Sequence, residues 1–250
     1  MKTFGLIGYP LGHSFSQKYF TEKFQTEHID AEYQMFPLEK IELVEQMLQS
    51  TPTLVGFNVT IPYKQQIMRY LDDLDDEARQ VGAVNVVRVL KVNGETKLKG
   101  YNSDIYGFYT SIKPFIKPHH KKALILGTGG ASKAVCAMLT KLGIDYKFVS
   151  RSAKPGMLTY EQIGQNVLDE YTVIVNASPV GMYPNIDQCP ALPYSCLDER
   201  HLAYDLVYNP LKTKFLALAE QQGAAIKNGL EMLHLQAERA WEIWNAPTTF

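Results

Sequence analysis

The sequence predicts an α/β protein with two domains, and three observations carry that expectation. Short apolar strands alternate with helical segments from the first residues onward. Halfway along, the apolar strand Lys122-Ala-Leu-Ile-Leu126 runs into a glycine turn and a helix, so something of domain size precedes it. At 250 residues the chain can bury one large core or two modest ones.

Taken in order, Thr3 to Gly8 reads as the first strand, and the helix from Gln17 to Thr26 has Ser14 or Ser16 available as its cap. Ala31 to Phe36 is the second strand, Glu39 to Leu48 a helix, and Leu54 to Val59 the third strand. Val84 to Leu90 and Lys97 to Tyr101 flank Asn93-Gly94, a pair that favours positive φ and therefore a hairpin, which makes the first sheet mixed. A helix from Ile105 to Ile112 follows. The stretch from Lys113 to Lys122, with two prolines, reads as a linker in which His119 and His120 are expected to be exposed. The acidic run from Asp72 to Glu77 reads as a solvated helix or loop. Beyond the linker come strands at Asp145 to Ser150, Thr172 to Asn176 and Ala203 to Leu206, with a long irregular loop from Pro179 to Pro193. From Leu230 a final helix carries Leu230, Leu233, Ala237, Ala240, Trp241 and Trp244 along one stripe.

Hydrophobic content of 46% and charged content of 20% are ordinary for a globular protein and argue against disorder. A formal net charge of -1 supplies no broad attraction to nucleic acid or an anionic membrane, and neither is expected as a partner. No apolar run approaches the roughly 20 residues of a spanning helix, and the opening residues turn polar too early for a signal peptide, which fits a cytoplasmic enzyme. The three cysteines form no C-x-x-C pair and the six histidines no H-E-x-x-H arrangement, so no metal is expected.

The loop Gly127-Thr-Gly129-Gly130-Ala131-Ser132 carries chemistry. Its glycines let the backbone approach a pyrophosphate, and the helix that follows aims unpaired N–H groups and a positive dipole end at the anion. This is the pattern of a Rossmann-like dinucleotide-binding domain, although Ser132 stands where G-x-G-x-x-G has its last glycine and glycine packing alone is the other explanation. After the next strand comes Ser150-Arg151-Ser152 with no acidic residue to hold ribose hydroxyls. Arg151 either forks onto a 2′-phosphate, which makes NADP the expected cofactor, or belongs to a solvated basic turn.

In the first half, Asn58-Val-Thr60-Ile-Pro62-Tyr-Lys64 turns polar at a strand's carboxyl end, where α/β sheets hold ligands. Lys64 near a helix start is poorly placed on dipole grounds and is either a solvated lysine or one with a task. Asn85 in an apolar strand needs hydrogen-bond partners, and Asp104 either caps the next helix or does chemistry. If Lys64 and Asp104 converge beside a nicotinamide, the ammonium can stabilise and then protonate the oxygen that hydride addition leaves negative, with the carboxylate orienting it.

These separated motifs, in order, resemble the shikimate dehydrogenase family over almost the whole chain. The family's Ser-x-Ser matches Ser14-Phe15-Ser16, its Asn-Val-Thr-x-Pro-x-Lys matches Asn58 to Lys64, its Gly-Ala-Val-Asn matches Gly82 to Asn85, and its Asn-Thr-Asp resembles Asn102-Ser103-Asp104. Asn176 to Met182, Tyr204-Asp205-Leu-Val-Tyr208 and Asn228-Gly229 through Gln236 complete the pattern. The resemblance implies NADPH-dependent reduction of 3-dehydroshikimate to shikimate in aromatic amino-acid biosynthesis. It makes Lys64 and Asp104 the catalytic pair, and Ser14, Ser16, Asn58, Thr60, Asn85, Tyr208 and Gln236 the substrate binders. Gly127, Gly129, Gly130, Ala131, Ser150, Arg151, Ser152, Met182 and Gly229 become the cofactor site. It also implies a substrate-binding and catalytic domain of residues 1–103 plus 230–250, an NADP domain of residues 104–229, and a monomer or homodimer. Phe15, Ile105 and Glu231 depart from common family residues and bear on affinity and loop geometry. Two alternatives stay open: a quinate/shikimate dehydrogenase using NAD or NADP, and a nucleotide-binding regulator without chemistry.

Overall fold

Apolar residues in β1 (Lys2–Gly8), β2 (Ala31–Pro37) and β3 (Leu54–Val59) pair in parallel, with β1 in the middle. Between them lie α1 (Phe15–Thr26) and, after a 3-10 turn at Ile41–Leu43, α2 (Val44–Ser50). The helix expected from Glu39 to Leu48 is thus split, and Leu43 stands at the N-cap without any side-chain oxygen to cap it. The computed structural model describes residues 1–12 and 14–247.

After β4 (Asp73–Leu74) and α3 (Asp76–Val81), the expected hairpin forms from β5 (Val86–Val92) and β6 (Glu95–Tyr101). Its turn is Asn93-Gly94, with φ of 52° and 85°, the left-handed geometry that this pair tolerates. The first sheet is ordered β2-β1-β3-β5-β6-β4 and is mixed, since β5 runs antiparallel to both neighbours. The acidic run keeps Asp72, Asp76 and Glu77 exposed, as expected of a solvated segment, and it also makes specific contacts. Asp72 accepts the Leu98 N–H, Asp73 pairs with Lys99 and Arg79, and Asp75 caps α3 through the Ala78 N–H, so the run ties β4 and α3 to the hairpin.

α4 (Ser103–Ile112) leads to the second sheet: β7 (Lys122–Leu126), α5 (Gly130–Lys141), β8 (Asp145–Ser150), β9 (Leu158–Thr159), α6 (Gln165–Glu170), β10 (Val173–Asn176), β11 (Leu202–Asp205), α7 (Lys214–Gln221) and β12 (Ala225–Lys227). All six strands are parallel in the order β12-β11-β10-β7-β8-β9, the doubly wound arrangement whose direction of winding reverses between β7 and β10. The last helix is α8 (Leu230–Asn245).

The chain divides into two units, one of residues 1–103 with the stretch from Gln236 onward, the other Asp104–Leu235. Leu230 to Leu235, assigned from sequence to the first domain, therefore group with the second. The Leu233 N–H bonds the Gly229 carbonyl and Lys227 pairs with Glu231, which ties this turn to the β12 segment. The apolar stripe of α8 also shifts: Met232, Ala237, Ala240, Ile243 and Trp244 are its buried members. The latter four close the first unit's aromatic core with Phe4, Phe20 and Phe24.

His120, expected in solvent, is buried, whereas His119 is exposed. The His120 ring accepts the Lys117 N–H at Nδ1 and meets the Arg200 carbonyl at Nε2, 3.0 Å away in each case, which satisfies both nitrogens in the neutral form. Burial accordingly lowers its pKa. Among the described residues no helix is long and apolar enough to cross a membrane.

Candidate active site

In the first unit the carboxyl ends of β1 and β3 continue side by side. The Thr60 N–H bonds the Ile7 carbonyl and the Tyr9 N–H bonds that of Ile61. Gly8 is needed there, because a Cβ would lie 2.5 Å from the Thr60 methyl. The turn that presents Lys64 is pinned on both sides: buried Tyr63 donates to the Leu38 carbonyl at 2.5 Å, and the Lys64 carbonyl accepts the Val84 N–H at 2.7 Å. Lys64 precedes only a short 3-10 turn, Gln66–Tyr70.

A continuous polar chain runs through this unit. Ser16 hydrogen-bonds Tyr33, whose phenol donates to Asn58 Oδ1 at 2.7 Å. Burial holds the Tyr33 pKa well above its ordinary value, and the Ser16 bond opposes that rise. Asn58 Nδ2 donates to the Asn85 carbonyl at 3.3 Å, so both ends of the Asn58 amide bond protein groups. Asn85 lies just before β5 rather than inside it, and its Oδ1 accepts the Ser103 N–H at 2.7 Å. Asn85 Nδ2 reaches Ser103 Oγ at 3.1 Å and Gln236 Oε1 at 3.5 Å. The fold thus joins Ser16, Asn58, Asn85 and Gln236, with Tyr33 and Ser103 as links for which the sequence had indicated no role. Ser14 occupies the N-cap position of α1, but its hydroxyl makes no capping bond; Ser16 lies within the helix.

Asp104 lies in the first turn of α4, not at its cap, and is buried at 7% exposure. Elsewhere in the second unit, the expected groups gather at the carboxyl ends of the parallel strands. Gly127 follows β7 with φ of 106°, and a Cβ on it would meet the Ala177 carbonyl after β10 at 3.1 Å, so the glycine sits at the switch point itself. Gly129 is the N-cap of α5 without a side-chain cap, while Ser132 turns its hydroxyl back to the Gly129 carbonyl at 2.6 Å. A Cβ on Gly129 or Gly130 would meet nothing within 4 Å, and no acidic residue occupies the first turn of α5. Open space and the N-terminal end of the α5 dipole fit a pyrophosphate beside Ala131. Ser150, exposed Arg151 and exposed Ser152 follow β8, with the Ser152 N–H 3.4 Å from Ser150 Oγ. A guanidinium with no carboxylate among these three residues suits a 2′-phosphate.

Two loops of this unit hang on one buried carboxylate. Asp205 Oδ1 accepts from Asn176 Nδ2 at 2.9 Å and from the Val207 N–H at 3.0 Å, and Oδ2 accepts from Thr213 at 2.6 Å. Burial pushes its pKa up to about 6 against the pull of those bonds. Asn176 Oδ1 in turn holds Ser178, at the start of the loop bearing Met182, and Val207 precedes half-buried Tyr208. Met182 is 44% exposed. Gly229 is obligatory: a Cβ there would lie 2.2 Å from the Leu206 carbonyl. Glu231, a departure from the family pattern, is occupied by Lys227.

Comparison with known proteins follows the same division. A family model described as the shikimate dehydrogenase substrate binding domain matches residues 6–87. The shikimate dehydrogenase (NADP(+)) of Clostridium beijerinckii is 37% identical, over 98% of this chain and 92% of its own length. The chain belongs to the shikimate dehydrogenase family. A second member, the shikimate dehydrogenase (NADP(+)) of Caldanaerobacter subterraneus, is 34% identical over 97% of this chain and 91% of its own. Among solved structures, shikimate 5-dehydrogenase of Thermus thermophilus in complex with NADP(H) and shikimate has a TM-score of 0.83 at 29% identity, covering 100% of this chain and 95% of that one. The 5-ketofructose reductase of Gluconobacter has a TM-score of 0.82 at 25% identity, covering 100% and 94%.

Proposed function

We propose that this shikimate dehydrogenase family member catalyses the reversible, NADPH-dependent reduction of 3-dehydroshikimate to shikimate. The observation that carries the reading is the near full-length identity to relatives named for that NADP(+) reaction. The glycine cradle and Arg151 support it on physical grounds.

In this reading the first unit supplies most of the substrate contacts, and the second binds NADP and carries Asp104 and Tyr208. When bound, the cofactor supplies or accepts the hydride. Lys64 delivers a proton to the carbonyl oxygen as negative charge builds there and takes it back in the oxidative direction, while Asp104 orients the lysine and a ring hydroxyl. Ser14, Ser16 and Tyr208 bind the substrate carboxylate through hydroxyl donors, which add no second cation beside Lys64. Thr60, Asn85 and Gln236 meet the ring oxygens, and Asn58 supports them through the Tyr33 and Asn85 bonds. Gly127, Gly129, Gly130 and Ala131 take the pyrophosphate, Ser150, Arg151 and Ser152 the adenosine phosphate, and Met182 and Gly229 lie by the nicotinamide. The reading places the enzyme in the cytoplasm, where its relatives' small-molecule reaction would run, as a monomer or homodimer.

A second reading, a quinate/shikimate dehydrogenase using NAD or NADP, draws support for its cofactor alone from a Listeria monocytogenes shikimate 5-dehydrogenase, 29% identical, whose structure is in complex with shikimate and NAD. Initial rates with shikimate and quinate, each with NADP and NAD, decide between them. Shikimate with NADP is expected to give the highest kcat/KM. Preference for quinate or NAD supports the second reading, and binding without turnover in any pairing leaves only a regulator.

A further inference from the structure

We infer that Ser103 is a positioning residue that fixes the amide orientation of Gln236, so that this glutamine meets its ligand with its NH2 group as a donor and keeps its carbonyl turned inward. The inference goes beyond the assignment of Gln236 to the substrate and, for its kinetic consequence, rests on the function proposed above.

The direction of every bond in the cluster follows from one group that can only donate. The backbone N–H of Ser103 lies 2.7 Å from one end of the Asn85 amide, and that end must therefore be the oxygen. The Asn85 NH2 is then the end that faces Ser103 Oγ at 3.1 Å and Gln236 at 3.5 Å. A serine hydroxyl that accepts from Asn85 still has one proton to give. Its candidates are Asn85 Oδ1, 3.4 Å away and already bonded at shorter range by the backbone, and the Gln236 side chain, also at 3.4 Å. The Asn85 NH2 faces Gln236 as a group that can only donate, and the serine proton finds there its less crowded acceptor, so the Gln236 carbonyl oxygen serves both. Turning the amide over would set its NH2 against the Asn85 NH2, and would leave the proton of fully buried Ser103 to share Asn85 Oδ1 with the shorter backbone bond.

The consequence is chemical. A ketone oxygen accepts hydrogen bonds and never donates, whereas an alcohol does both. A side chain locked as a donor serves a ring oxygen in either oxidation state, so the site holds the two sides of a reversible carbonyl reduction without rearranging. Ser103 touches neither substrate nor cofactor in this scheme and acts through Gln236.

The test pairs a spectroscopic readout on the free protein with kinetics. The Gln236 side-chain NH2 is expected to give one sharp pair of resonances in the wild type, to broaden or double in Ser103→Ala, and to sharpen again in Ser103→Thr, which keeps the hydroxyl. With 3-dehydroshikimate and NADPH, Ser103→Ala is expected to raise the substrate KM about tenfold while leaving the NADPH KM unchanged, with Ser103→Thr restoring it. Gln236→Glu keeps an acceptor for Ser103 and removes the donor. It is expected to raise the substrate KM by at least as much, and it serves as the test if Ser103→Ala does not fold. Unchanged Gln236 resonances in Ser103→Ala, or a wild-type substrate KM in Gln236→Glu, overturn the inference. A wild type that shows the locked resonances but no turnover overturns the proposed function and leaves the locked amide standing.

Discussion

The two units solve recognition by opposite means. In the first, the candidate groups are buried or half-buried side chains whose amides and hydroxyls bond one another, from Ser16 through Tyr33, Asn58 and Asn85 to Ser103 and Gln236. In the second, the cofactor loop offers backbone N–H groups, open space over Gly129 and Gly130, and the exposed Arg151. A network of buried amides reads ligand oxygens by orientation and fails as a unit when one member is lost. A backbone cradle reads charge and closeness of approach, and it tolerates changes that do not fill it. Substitutions should therefore separate the two units cleanly.

The largest separation is expected from Lys64→Ala. Loss of a positioned proton donor should lower kcat by about 10²–10⁴ with little change in NADPH affinity, measured by steady-state rates and cofactor titration. Full turnover in that variant would remove Lys64 from the chemistry.

A pair of glycine substitutions comes next. In Gly56→Ala the added methyl would lie 2.3 Å from the Trp244 ring, and overpacking should cost about 1–3 kcal/mol, seen as a lowered Tm. Gly129 has extended backbone, φ −76° and ψ −179°, and nothing within 4 Å of a Cβ. Gly129→Ala should keep the wild-type Tm and raise the KM for NADP several-fold, and an unchanged KM would mean that no ligand approaches there.

Arg151→Ala should weaken NADP by roughly ten- to a hundredfold, the value of about 1.5–3 kcal/mol for hydrogen bonds to a charged group, and leave NAD unaffected. Equal losses for both cofactors would relocate the 2′-phosphate contact.

The smallest effect concerns pH. The Asp205 carboxyl titrates at about 6 when folded, above the ~3.9 of an unfolded aspartate, so the folded state binds the extra proton between those values. Its contribution to stability therefore weakens as pH rises through that window and stays low above it. Asp205→Asn keeps an acceptor for Asn176 and Val207 and can donate to Thr213. It should gain on the order of 1 kcal/mol relative to wild type at pH 8, with the gap closing toward pH 4. Parallel Tm curves would show that Asp205 is not the group responsible.

Much of this was legible because local pattern and tertiary outcome agree. The strand from Leu54 to Val59, the Asn93-Gly94 hairpin and the glycine loop are each set by a few adjacent residues. What stayed hidden depends on partners far away in the chain. His120 looked exposed because its acceptor, the Arg200 carbonyl, lies 80 residues on. The acidic run read as solvated, and it is largely exposed, but its contacts to Leu98 and Lys99 lie more than twenty residues on and left no local trace. For Ser103, neighbouring sequence suggested only a helix start. Its link to Gln236, 133 residues later, has no signature in periodicity or spacing.

The aromatic core of the first unit carries a consequence for synthesis on the ribosome. Phe4, Phe20 and Phe24 are sealed by Ala237, Ala240, Ile243 and Trp244, whereas the first unit's other core, around Ile7, Phe57 and Val87, draws on residues between 7 and 98. That aromatic face of the first unit therefore stays open until Trp244 has been made, while the other core of the same unit can close beforehand. The nascent first unit leaves the exit tunnel with one core closed and an apolar face that waits for α8.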